Sequence, residues 1–365
     1  MKKQNAIVLL ILWGVLVLFA WLLPAKAVSD AERRPLAQMP EISAESILGG
    51  KFMEQFEDYS LDQFPLRNGF RTVKSLFHYY VLGQKDNHGI YLEKGFAVKR
   101  EYPLKDASID HAVERFARLY EKYLTDSQVY MAIVPDKGYY LAENAGQLHL
   151  DYDWFYDRFR QELPWAQQID LRPVLNVNDY YCTDTHWRQE ALSGAAHTIC
   201  TAMNVSTQKD LVATQTEQPF YGVYYGQAAL PMAPDSISLM ENDLLKNCTV
   251  FDHETGKTTG IYDLEKLSGK DPYEVYLSGP KSLLTIENPA GQPGKELIVF
   301  RDSFGSAMIP LLIADYETVT VVDIRYIQMD LLERFVDFHG QDVLLLYSTL
   351  VLNNSETIKY KIACE

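Results

Sequence analysis

Short runs of almost unbroken apolar residues, each leading into a turn and an amphipathic segment, constrain this chain more than any other feature. Val129 to Val134 reads VYMAIV and Glu296 to Phe300 reads ELIVF. Thr318 to Val322 and Val343 to Leu346 are similar, and a shorter strand falls near Ile169-Asp170-Leu171. A strand that is apolar on both sides of its pleat has to be covered on both faces, which is the situation of a parallel strand between layers of helices. Helical spacing supplies those layers. Val113, Phe116, Leu119, Tyr120 and Tyr123 share one face of a helix expected over 112–124, and Trp154, Phe155, Phe159 and Leu163 share one of a helix over 152–163. The expected architecture is α/β, a parallel sheet flanked by helices, with no internal repeat.

The N-terminus follows other rules. Ala6 to Leu23 is an uninterrupted apolar run behind Lys2 and Lys3. About 18 residues at ~1.5 Å rise cover roughly 27 Å, close to the thickness of a bilayer's hydrocarbon, and the two lysines favour a cytoplasmic N-terminus. Residues 1–27 are therefore expected to form a signal anchor with a transmembrane helix, which puts the remainder outside the cytoplasm. Ala25-Lys26-Ala27 keeps a cleaved signal peptide open as the alternative, with the same destination. Residues 28–48 mix charge and proline and read as a linker. Between 51 and 82 two short helices are expected on either side of Pro65. The body is expected over 49–365, with 204–290, rich in Tyr, Pro and Gly, as a less regular insertion.

Composition narrows the function. With 34 Lys and Arg against 49 Asp and Glu, the formal charge of -15 argues against a protein that tracks nucleic-acid phosphates, and anionic lipid would repel most of the body. Cys182, Cys200, Cys248 and Cys364 show no CxxC spacing, so neither a zinc knuckle nor a redox pair is indicated, and disulfides are permitted without being assigned. The histidines form no HExxH pattern and no Gly-rich phosphate loop is present, so neither a catalytic metal nor a nucleotide cofactor is expected.

Two motifs carry chemistry. Ser303 lies in Arg301-Asp302-Ser303-Phe304-Gly305, where a buried strand turns directly into a helix. Open α/β sheets present ligand-binding groups at the carboxyl ends of such strands. A serine there exposes its hydroxyl, while its own N–H and those of neighbours such as Phe304 can face a developing oxyanion. Asp302 and Ser303 as simple helix caps are the bland alternative. The second motif is Asp184-Thr185-His186-Trp187. A neutral serine is a poor nucleophile, and an imidazole oriented by a carboxylate is the base that activates it. Asp323 and Arg325, after another buried strand, are candidates to hold a polar substrate group, Trp187 to stack on a ring of the substrate, and Tyr347 to line the same cleft. An ion pair at the surface and plain packing are the alternatives for them.

TDTHW followed more than a hundred residues later by a strand and DSF resembles the SGNH-hydrolase-like proteins of alginate O-acetylation, the AlgX and AlgJ type, and the related bacterial proteins grouped as the DHHW family. ERRPLAQMP, from Glu32 to Pro40, and DQFPLRNGF, from Asp62 to Phe70, resemble the same family's N-terminal layout. The resemblance implies an SGNH-like domain with Ser303 as nucleophile, His186 as base and acid, and Asp184 as orienting carboxylate. It further implies an O-acetyltransferase of an exported polysaccharide, partnered by a multispanning membrane O-acyltransferase that supplies acyl groups. The same triad would serve an esterase, and a scaffold that binds glycan without turnover is a third class. Arg301 stands where the common motif has Gly, and Thr185 where the DHHW name has a second His; neither change removes a reacting group.

Overall fold

The computed structural model describes residues 3–358. They form two compact units, one running up to Ile90 together with Val223–Met232, the other Tyr91–Gly222 together with Ala233 onward. The division therefore falls later than the expected boundary at residue 49.

In the first unit, α1 (Lys3–Leu22) forms over the apolar run. Side chains of this run, Leu9, Leu16 and Trp21 among them, lie outside the described residues. Among the described residues no helix is long and apolar enough to cross a membrane, so the transmembrane helix expected here is not found. The helices α2 (Lys51–Asp62) and α3 (Arg67–Leu76) form on either side of Pro65. The expected linker has structure of its own: Val28–Ser29 pairs with Arg34–Pro35, and Ala44–Leu48 is a helical turn capped by Ser43. Its anchor is Glu32. Arg67 reaches the Glu32 carboxylate at 2.6 Å and Arg71 at 2.9 Å, while Arg34 grips Asp62 with both guanidinium branches at 2.9 and 2.6 Å. Asp62 also accepts the Ala37 N–H. The ERRP and DQFPLRNGFR segments are thus two halves of one ion-pair network, a planar-fork arrangement that lysine would not reproduce.

The second unit holds one large sheet of eight strands. In chain order they are β1 (Gln128–Val134), β2 (Gln167–Asp170), β3 (Thr249–Asp252), β4 (Lys257–Thr259), β5 (Leu283–Glu287), β6 (Gln292–Arg301), β7 (Tyr316–Val322) and β8 (Asp342–Ser348). Across the sheet the order is β4-β3-β5-β7-β6-β8-β1-β2. From β7 to β2 the neighbours are parallel, the arrangement expected from their apolar runs. β5, β3 and β4 extend the β7 edge antiparallel. These three come from the segment expected to be an insertion. No continuous apolar run marked them: β3 alternates exposed and buried residues, β4 is polar and largely exposed, and β5 is short and interrupted by Thr285. Val212–Phe220 and Asp235–Glu241, from the same segment, stand apart from this sheet as a hairpin.

Both faces are covered. Met131, Ile133, Ile298, Phe300, Val343 and Leu345 point to the side of α4 (Asp106–Leu119) and α5 (Tyr152–Glu162), against Phe116, Phe155 and Phe159. Ala132, Val134, Leu297, Val299, Leu344 and Leu346 face the other side, where Ala195 and Ile199 of α6 (Ser193–Ala202) pack. Each large side chain fully buried this way contributes about 1.5–3 kcal/mol. The positional fit leaves the carboxyl ends of five parallel strands along one edge. Cys182, Cys200 and Cys248 are free thiols, and Cys364 lies outside the described residues.

The ion-pair network predicts an acid response. The hydrogen bond from Arg34 holds Asp62 at about 2, well below the ordinary carboxylate range. Burial pushes Glu32 up, but its hydrogen bond to Arg67 and the charges of Arg71, Arg67 and Arg34 outweigh that and hold it low. Folded-state pKa values below the unfolded ones mean stabilisation that is present above pH ~4 and drains away as pH falls toward about 2. Hydrogen exchange over 51–76 is expected to accelerate through that window, and Asp62→Asn to remove most of the pH dependence while raising exchange at neutral pH. An identical pH response in wild type and variant would contradict this.

Candidate active site

Ser303 stands at the carboxyl end of β6, on the turn into α7 (Gly305–Met308). Asp302 fixes that turn. Its fully buried carboxylate accepts the Ser348 N–H at 2.7 Å, the Ser348 hydroxyl at 2.6 Å and the Phe304 N–H at 3.0 Å, tying the end of β6 to the end of β8. One expectation is corrected by this. The Phe304 N–H is committed to Asp302 and is not available to an oxyanion, whereas the Ser303 N–H has no acceptor among the described residues.

The histidine arrives on a loop closed like a small hairpin. Tyr180 bridges Trp187, and the Tyr181 N–H donates to the His186 carbonyl at 3.0 Å. Asp184, fully buried, accepts the His186 N–H at 3.1 Å and meets Nδ1 at 2.6 Å. On the far side of the ring, Nε2 lies 2.7 Å from Ser303 Oγ. A carboxylate can only accept, so Nδ1 carries the proton and Nε2 is left as acceptor for the serine hydroxyl. Ser303, His186 and Asp184, spread over 120 positions, form one relay, with His186 only 7% exposed. Within such a dry environment each of these interactions is stronger than it would be in water.

Three residues that sequence reasoning passed over complete the site. Tyr273, from the short turn Pro272–Val275, stacks on the His186 ring with centroids 3.9 Å apart and planes 9° from parallel. Among 24 tyrosines no sequence signal singled it out. Gly222 lies against Asp184: a Cβ there would stand 2.3 Å from the Asp184 Cβ and 2.5 Å from its backbone nitrogen. Asp235 accepts the N–H groups of Cys182 and Thr183 at 2.8 and 2.7 Å. All three belong to the segment read as irregular.

The remaining candidates each have partners within the protein. Trp187 is fully buried, its Nε1–H donating to the Phe304 carbonyl at 2.9 Å and its ring edge-on to Phe304, so it packs behind the loop and offers no face to a sugar. Arg325 grips Asp323 through Nε at 2.8 Å and Nη2 at 2.6 Å and lies over the Tyr326 ring. That pair takes two of its three guanidinium nitrogens. Tyr347 is fully buried with its ring 5.1 Å from that of Phe116 and belongs to the core. Arg301 has its own use for the position where the common motif has Gly: it is fully buried, donates to the Gly279 carbonyl at 3.0 Å and faces Asp323 at 3.8 Å. No cluster of three or more potential metal ligands occurs among the described residues.

Comparison with known proteins agrees with the motifs. Residues 168–322 match the family described as DHHW protein, a span that contains Asp184, His186 and Ser303. A DHHW family protein from Eubacterium siraeum superposes with a TM-score of 0.62 at 21% identity, covering 76% of this chain and 96% of that one. PatB1 of Bacillus cereus, solved with a sulfonyl adduct, does so with a TM-score of 0.59 at 18% identity, covering 75% and 98%. For the O-acetyltransferase domain of Pseudomonas putida AlgJ the values are 0.44, 14%, 75% and 94%. No curated protein matches the chain. The first two likenesses establish a shared fold, and the family resemblance read from TDTHW and DSF holds over the matched region.

Two substitutions test the geometry directly. Gly222→Ala is expected to displace Asp184 and lower any Ser303-dependent turnover by about 10²-fold, since shifts of about 1 Å at a reacting pair have that effect. Tyr273→Phe keeps the stacked ring and is expected to leave turnover near wild type, whereas Tyr273→Ala frees the imidazole and is expected to cost tenfold or more, roughly. Equal losses in both tyrosine variants would show that the ring contact is not what matters.

Proposed function

We propose that this chain is an extracytoplasmic O-acyltransferase, an O-acetyltransferase acting on an exported polysaccharide through an acyl-Ser303 intermediate. The observation that carries the proposal is the continuous relay from Asp184 through His186 to Ser303, at 2.6 and 2.7 Å. His186 Nε2 takes the proton as Ser303 Oγ attacks the donor's acyl carbonyl. Asp184 stabilises the imidazolium, and the Ser303 N–H faces the oxyanion. Collapse expels the donor's leaving group, which receives the proton from His186. A sugar hydroxyl then gives its proton to the same nitrogen, attacks the acyl-serine and leaves as the ester, with the serine reprotonated. No cofactor enters this scheme.

Support for the acceptor comes from the family resemblance of the two motifs. The apolar run behind Lys2 and Lys3 supports a place outside the cytoplasm, where an exported glycan is met. A multispanning membrane O-acyltransferase is the proposed source of acyl groups. The sulfonyl adduct of PatB1 suggests the probe.

The full-length protein in detergent should turn over p-nitrophenyl acetate and be labelled on Ser303 by an aryl sulfonyl fluoride. Ser303→Ala and His186→Ala should each lower turnover by roughly 10³-fold or more, because the residues act as a unit. An acetyl adduct on Ser303 that transfers to glycan would support the transferase. Release of free acetate with the glycan unchanged would make the chain an esterase instead, and equal background activity in all three proteins would sink the relay as a reacting group.

A further inference from the structure

The Asp184 loop is gripped from both sides by opposite charges, and one of them is a lysine that the reaction as written does not use. Lys137 follows β1 by way of Pro135 and Asp136 and is 2% exposed. A buried ammonium is costly unless its donors and its charge are matched. Its Nζ donates to the Tyr181 carbonyl at 2.9 Å and to that of Cys182 at 3.4 Å, with the Phe96 ring 5.8 Å away. The carboxylates facing it are Asp184, which contributes most, then Asp235 and Asp136, with the neutral Cys182 thiol beside them. Burial nonetheless pushes the amine down to about 8.

On the opposite side of the same segment, Asp235 accepts the Cys182 and Thr183 N–H groups and the Thr183 hydroxyl. The Thr183 hydroxyl oxygen in turn accepts the Gly222 N–H at 2.9 Å. A cation thus takes the carbonyls of 181 and 182 while an anion takes the N–H groups of 182 and 183. The next residue along the chain is Asp184.

We infer that Lys137 and Asp235 are positioning residues for the Asp184–His186 pair, a charge clamp that aims the carboxylate and sets the field in which the imidazole takes up its proton. This rests on the reading of Ser303, His186 and Asp184 as a reacting triad. Neither clamp residue touches substrate. The inference has a signature that mere support of the fold lacks. Removing the cation favours protonation of the neighbouring pair, and removing the anion opposes it, so the two substitutions move the pH dependence in opposite directions.

The test is the pH profile of p-nitrophenyl acetate turnover by the full-length protein as wild type, Lys137→Met, Lys137→Arg, Asp235→Asn and Ser303→Ala, each checked by thermal melting. Lys137→Met is expected to lower kcat by about 10²-fold at little change in KM. Its acid limb should move to higher pH by about 0.5 unit or more, while that of Asp235→Asn moves to lower pH. Lys137→Arg, which keeps the charge, is expected to restore the wild-type limb and at least part of the rate. Wild-type turnover that depends on Ser303, together with an unmoved acid limb in every clamp variant that folds, overturns the clamp alone. Wild-type turnover that does not depend on Ser303 overturns the triad, and the clamp falls with it. Should Lys137→Met not fold, the downward shift in Asp235→Asn decides the matter.

Discussion

The buried carboxylate of Asp302 is the constraint on which the site depends. At the carboxyl edge of a parallel sheet the ladder stops and main-chain donors are left over. A carboxylate without water, for its part, has to be surrounded by donors or costs several kcal/mol. Asp302 meets both needs by collecting two donors from Ser348 and one from Phe304. The strands β6 and β8 are thereby fixed to each other at the point where the serine turn begins. The same economy appears one strand further on, where Asp136 accepts from Tyr152, Gly138 and Thr349. Burial pushes the Asp136 pKa up, against the hydrogen bonds that lower it. Buried acids along this edge act first as fasteners between strand ends.

Fixing the serine turn leaves the histidine to be brought to it, and the loop bearing it has no regular structure to hold it in place. Its rigidity comes from contacts at every level. The backbone is closed by the pairing of Tyr180 with Trp187, the carbonyl and N–H groups of 181 to 183 are taken by Lys137 and Asp235, and the ring is covered by Tyr273. Gly222 permits an approach to Asp184 that any side chain would block. An imidazole held this way loses little orientational freedom during a proton transfer, which is where positioning contributes to rate. The N-terminal unit follows a related rule on a smaller scale, with two carboxylates organising three arginines.

Much of this was legible in the sequence. Continuous apolar runs forecast the parallel strands β1, β6 and β8, because a strand buried on both faces has no room for polar alternation, while the valines of β7 alternate with half-buried threonines. Helical spacing forecast α5 to within one residue and α4 with its start six residues late, its end falling on the helical turn Tyr120–Leu124, and the place of DSF after a buried strand forecast the serine turn. At the candidate site, residue type guided well to the three groups that the structure brings into hydrogen-bond contact and poorly to groups that only have to be near them. Asp184, His186 and Ser303 were marked by what imidazole, carboxylate and hydroxyl can do together and, decisively, by the family resemblance of TDTHW and DSF. Trp187 and Tyr347 are equally suited to binding by type, and packing buried both, while Arg325 is paired with Asp323.

The sequence by itself determined the layers of the fold and the position of the serine turn, since these follow from periodicity, and it pointed to Asp184, His186 and Ser303 once the family resemblance of their motifs was added. Only the tertiary structure decided which N–H is left for an oxyanion, that β3, β4 and β5 extend the main sheet, and that Lys137, Gly222, Asp235 and Tyr273 surround the relay. The physical reason is one of range. Local pattern records how a segment shares its own surface between core and water, whereas a hydrogen bond between Ser303 and His186, or a ring laid on an imidazole from almost ninety residues away, exists only once the sheet has set the distances.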